Sequence, residues 1–204
     1  MIDRLCDQAM DEDIAVAYLY CDYLSQQDQT TTNIMGVALK QLLGKVGIPK
    51  EIRRKFQEGK KVAGGRRLLL PDLVCGLKIA IASLPQVFIC IDALDEILPK
   101  NLPELLASLR DIIRECPKTR IFLTGRPHIK ENIPRYFTQV VVIPIKPNTD
   151  DIRNYLEMRL ERDVEPEAMD KDLRADIVRI IPEKMSDMCV GAFTISTLSL
   201  MYTY

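Results

Sequence analysis

The chain has 204 residues, 47% hydrophobic and 28% charged, which is enough for one domain with a substantial apolar core. With 28 basic and 29 acidic residues the net charge is −1, which excludes a protein drawn to nucleic acid or an anionic membrane by global charge. Six cysteines without a C-x-x-C pair, and His128 as the one histidine, argue against a Cys/His zinc module. They fit thiols packed as small hydrophobes in a reducing, cytoplasmic setting.

The opening stretch "MIDRLCDQAMDEDIAV" is acidic where a secretory signal would be basic and then apolar. "IAVAYLY" (Ile14–Tyr20) predicts a first strand. Ile34, Ala38, Leu42 and Val46 follow at helical spacing in "TNIMGVALKQLLGKV". "EGKKVAGGRRLLLP", Glu58 to Pro71, reads as a loose, solvated segment in which Lys60, Lys61, Arg66 and Arg67 are ordinary loop cations. Pro71 opens a second helix that stops before Pro85, and "VFICI" (Val87–Ile91) predicts the next strand. Leu102, Leu105, Leu106, Leu109, Ile112 and Ile113 mark a third helix, ended by Pro117. "RIFLT" (Arg120–Thr124) and "QVVVI" (Gln139–Ile143) complete four strands. Three of these runs are continuously apolar, which predicts strands buried on both faces. Strands alternating with helices predict an α/β fold built on a parallel sheet.

Beyond Ile143 the pattern changes. Asn148 and Thr149 resemble a cap ahead of "DDIRNYLEMRLER", with acids in the first turn, and a further helix from Lys171 to about Ser186 contains Pro182, which should kink it. The expected division is a core over residues 1–147 and a helical extension over 148–204. The segment from Met188 to Tyr204 has no charge but is too short and too rich in Ser and Thr for a membrane span. A packed terminal helix or strand is expected there, and no membrane partner.

"VFICIDALDE" carries the chemistry. Asp92 directly follows the apolar run, so in a parallel sheet it would sit at the carboxyl edge, where ligands bind. A carboxylate beside a low-dielectric sheet needs positive compensation, and Mg²⁺ supplies it through oxygen ligands shared with water and phosphate. Asp95 or Glu96 would then orient or deprotonate a water. The plain alternative is that Asp92 ends a strand while the other two acids start a loop or cap a helix. In "RIFLTGRPHI", Gly125 permits a tight turn that brings Arg126 toward the same edge, where a guanidinium suits a γ-phosphate. His128 reads as a surface histidine.

Taken together, "VFICIDALDE", "RIFLTGRPHI" and "DIRNYLEMRLER" resemble the NACHT class of STAND P-loop NTPases, in particular the fungal nephrocystin-3-like N-terminal domains of repeat-containing receptor-like proteins. The resemblance covers nearly the whole chain. It implies a Walker B role for Asp92 on Mg²⁺, a hydrolytic role for Asp95 and Glu96, and a sensor role for Arg126 on the γ-phosphate of ATP or GTP. It also exposes a departure: the sequence contains no G-x-x-x-x-G-K-[ST], the loop whose amides cradle phosphates. By that likeness the first βα unit is missing, and its strand belongs between "RIFLT" and "QVVVI". Loss of that strand would leave its neighbours with open edges.

Three functions remain open on these residues. One is a part of a nucleotide-dependent signalling switch that needs its phosphate loop from an upstream segment or another chain, and so binds no ATP or GTP by itself. The second is a non-enzymatic, degenerate module or gene fragment that self-associates or offers an interaction surface. The third is a metal-dependent hydrolase on another α/β fold, for which no histidine or further acidic cluster completes a two-metal site.

Overall fold

The computed structural model describes residues 7, 14–61, 68–145, 148–162, 169–185 and 190–196. The first strand, β1, spans Ile14–Tyr20, as the apolar run predicts. Three helices follow: α1 (Thr31–Val46), α2 (Lys50–Lys61) and α3 (Leu70–Ala82). The Thr30 side chain caps α1 by accepting the Asn33 N–H at 3.2 Å, and Gly47, at φ 74°, ends it. Ile34, Ala38 and Leu42 are buried, so the predicted stripe is the face that packs on β1 and α3. Helix α2 was not anticipated. "KEIRRKFQEGKK" is so charged that its periodicity is faint, and among the side chains described Ile52 is its one buried anchor. Residues Glu58–Lys61 are therefore helical rather than loose, whereas Arg66 and Arg67 lie outside the described residues.

Strand β2 (Gln86–Asp92), helix α4 (Leu102–Glu115) and strand β3 (Thr119–Gly125) follow. β1 pairs in parallel with β2, from Ile14 opposite Gln86 to Tyr20 opposite Asp92. β2 pairs in parallel with β3, from Val87 opposite Thr119 to Ile91 opposite Leu123. This is the expected α/β architecture: a parallel sheet flanked by helices, with a helical C-terminal part. Val87 to Ile91 are buried on both faces, so β2 behaves as its continuous apolar run predicts. β3 does not: Ile121 and Leu123 are buried, while Arg120, Phe122 and Thr124 on the opposite face are only half-buried. β4 (Val140–Ile145) departs further, with Val141, Ile143 and Ile145 about half exposed. It is the outermost strand on its side of the sheet, so there is less protein to cover it.

The full strand order is β1-β2-β3-β5-β4. β5 is Val190–Ser196, so the apolar tail supplies a strand and not a helix. It sits between β3 and β4, the position where the resemblance leaves a gap. The expected open edges are thus corrected: the tail fills the slot, and backbone groups that would otherwise be unpaired gain a neighbouring strand. At the opposite end of the sheet, β1 is an edge strand with a chemical guard. The Gln41 side-chain amide accepts the Tyr18 N–H at 2.7 Å and donates to the Tyr18 carbonyl at 2.8 Å, standing in for the next strand at that residue.

The chain clusters into two compact units, residues 1–142 with 192–204, and residues 143–191. In the second, α5 (Thr149–Glu161) packs on α6 (Lys171–Met185). Asn148 caps α5 as predicted, accepting the Asp150 N–H at 3.0 Å. α6 continues through Pro182. No helix among the described residues is long and apolar enough to cross a membrane.

Candidate functional site

The parallel register sets Asp92, the last residue of β2, beside the end of β3. Thr124 donates its hydroxyl to the Asp92 carboxylate and, with the same oxygen, accepts the Ala93 N–H at 3.0 Å. That bond holds Ala93 in the left-handed region, at φ 53° and ψ 50°. Such a conformation costs a β-carbon-bearing residue about 1–3 kcal/mol and persists where surrounding contacts impose it. Its effect is to turn the chain sharply into the 3₁₀ turn Leu94–Glu96, so that the two later acids fold back toward β3.

Asp95 is where the turn meets β3. Its side chain is only 6% exposed, accepts the Arg126 N–H at 3.1 Å through Oδ1, and pairs with Arg126 Nε at 3.3 Å through Oδ2. Arg126 Nη2 also reaches Glu96 Oε1 at 3.6 Å. Gly125 permits the approach, because a Cβ there would lie 3.3 Å from Asp95 Oδ1 and 3.6 Å from the Asp95 nitrogen. The tight turn expected at Gly125 is not there: Gly125 is the last residue of β3, Arg126 continues extended at φ −66° and ψ 159°, and the chain turns from Pro127, so Arg126 meets the acids because Gly125 lets Asp95 come close. The guanidinium itself is 67% exposed, so its ion pairs contribute little stability, while the main-chain bond to Asp95 pins the turn.

Cys21, the residue after β1, completes the cluster. Its N–H donates to the Asp92 carbonyl at 3.0 Å. Burial, and then the charges of Asp92, Asp95 and Glu96, push its thiol from 9.0 up to about 12. At neutral pH the thiol is therefore protonated. Cys21, Thr124 and Ala93 were not recognised as site residues in the sequence. The signal for the first two is positional: each is the polar or polarisable residue that ends an apolar run.

All four predicted residues, Asp92, Asp95, Glu96 and Arg126, lie at the carboxyl edge of neighbouring parallel strands, and Arg126 is paired directly with two of the acids. His128 is exposed in the following 3₁₀ turn and takes no part. No three His, Cys, Asp or Glu side chains among the described residues converge into a metal-holding group. That leaves the two-metal hydrolase reading without a ligand set among those residues. The donors that do point together, the Asp92 carboxylate and the Thr124 hydroxyl, are hard oxygens. They fit a Mg²⁺ that takes most of its coordination from water and phosphate, and not an all-protein cage.

The fold and site define an α/β domain with a parallel sheet and an acid–arginine cluster at the carboxyl ends of its strands. The family model described as nephrocystin 3, N-terminal, matches residues 1–126, and the chain belongs to that family. The matched stretch runs from β1 through Arg126 and includes every candidate site residue. No curated protein matches the chain.

Proposed function

We propose that this domain carries the magnesium and hydrolysis half of a STAND/NACHT-type nucleotide-dependent signalling switch, and that a phosphate-binding loop must come from residues other than these. The observation that supports the reading is the convergence of Asp92, Asp95, Glu96 and Arg126 at one sheet edge, where open parallel sheets bind ligands. In it, Asp92 and Thr124 would hold Mg²⁺, which when bound would supply positive charge for nucleotide phosphates. Asp95 and Glu96 orient the attacking water. Arg126, paired with Asp95 and Glu96 here, would exchange those anionic partners for the γ-phosphate when the site is occupied.

A second reading has a specific observation behind it. Arg126 already satisfies Asp95 and Glu96, so the cluster equally suits a structural clasp in a non-enzymatic interaction module. Two measurements separate them. Calorimetric titration of the chain with Mg-ATP and Mg-GTP should show no binding, since the sequence contains no G-x-x-x-x-G-K-[ST] loop; micromolar affinity abolished by Asp92→Ala would establish a complete site instead. Mg²⁺ alone should speed Cys21 alkylation by neutralising Asp92, and lose that effect in Asp92→Ala. A Cys21 rate indifferent to Mg²⁺ would leave the structural clasp as the better account.

A further inference from the structure

The last strand in the chain lies inside the sheet. β3 and β4 are separated in sequence by only residues 126–139, yet they are not neighbours in space; β5 is inserted between them. The strand that fills the slot is joined to β4 only through residues 143–191, which make up a separate compact unit, and the chain belongs to the first unit again from Ala192. Whenever β5 is released, β3 and β4 each present an unpaired edge to a gap one strand wide, the configuration that recruits a strand from a chain able to supply one. The strand that fills it, "VGAFTIS", has no charge and no proline, and Met188 to Tyr204 as a whole has no charge. Nothing in it discourages pairing away from its own sheet. The contrast with β1 is direct, because there Gln41 occupies the main chain of the edge.

We infer that the β3/β4 slot is a strand-acceptor site and that β5 of a second copy of this chain can occupy it, giving a strand-exchanged dimer. A second copy is the occupant because each carries the segment already matched to the slot, so exchange makes the same ladders and costs only the rearrangement of the connection. The slot also borders the site. β3 ends in Thr124 and Gly125 and is followed by Arg126, so exchange places another copy's strand next to the strand that carries the acid–arginine cluster. The inference rests on strand order and does not depend on nucleotide chemistry.

The test uses the full chain and a fluorescein-labelled peptide of residues 190–196 flanked by lysines. Light scattering after chromatography over a concentration series, following incubation in mild denaturant to permit strand release, should show a dimer that grows with concentration. The peptide should convert that dimer to monomer and saturate at one peptide per chain, whereas a peptide with proline at the position of Thr194 should not bind. In the full chain, Thr194→Pro removes a ladder N–H and should lose the dimer. If that variant does not fold, the peptide arm on the unaltered chain decides alone. A chain that stays monomeric throughout, or a dimer unaffected by saturating peptide, overturns the inference. A monomer that nonetheless takes up peptide also overturns it, since the occupant would then not be a second copy.

Discussion

At about pH 8, iodoacetamide should alkylate Cys21 roughly 30- to 60-fold more slowly than an unhindered cysteine, read site by site by mass spectrometry. A thiol moved from 9.0 to about 12 has roughly a thousandfold less thiolate at that pH. The more basic thiolate is more nucleophilic and offsets that loss by a factor of roughly 16 to 32, given a Brønsted slope near 0.4–0.5. Burial is the larger cause and the three carboxylates follow it, so Asp92→Asn should raise the rate severalfold without restoring ordinary reactivity. A Cys21 that reacts like an exposed thiol would mean that the ends of β1 and β2 do not meet as described.

The same shift fixes a pH dependence of stability. The folded chain holds the Cys21 proton more tightly than the unfolded chain does. Below about pH 9 both states keep it, and the contribution is fully present. Between 9.0 and about 12 the unfolded state loses the proton first, so stability falls as pH rises through that window. Cys21→Ser removes most of this slope, because a serine hydroxyl does not titrate there. Chemical denaturation at several alkaline pH values measures the difference.

The elements legible in the sequence were those whose burial follows a local period. Leu102, Leu105, Leu106, Leu109, Ile112 and Ile113 could only be one helical face, and all six are buried. β2 was equally plain, since a run with no polar residue suits a strand covered on both sides. The failures were non-local or sterically unusual. α2 has little apolar surface to announce it, and what β3 and β4 bury depends on what lies above and beside them. That Val190–Ser196 would enter the middle of the sheet is a fact of topology, to which a local pattern is blind. In the site, residue types gave Asp92, Asp95, Glu96 and Arg126. They did not give the left-handed Ala93, which is the reason a two-residue gap between acids becomes a fold-back toward β3. Alanine carries no signal for positive φ; the Thr124 hydroxyl imposes it from another strand.

That dependence makes Leu94 the residue at which stability and site meet. It is completely buried, Ile97 is 3% exposed, and these two apolar side chains flank Asp95 and Glu96 in the turn. Leu94→Ala should cost about 3 kcal/mol through lost burial and the cavity left behind. In a chain of this size, that lowers Tm by roughly 10 °C. Leu106→Ala, in the equally buried face of α4, should cost about as much, so the global effect alone is not diagnostic. The local effect is. Without its anchor the turn has less to hold Ala93 at positive φ, and the strained residue gains by relaxing toward ordinary backbone. The Ala93 N–H bond to Thr124 and the Arg126 N–H bond to Asp95 then open together. Hydrogen exchange at those two amides should accelerate in Leu94→Ala by more than global destabilisation explains, while in Leu106→Ala it should track the global change. Equal exchange in the two variants would show that β3, and not the buried turn, holds the acid–arginine cluster in place.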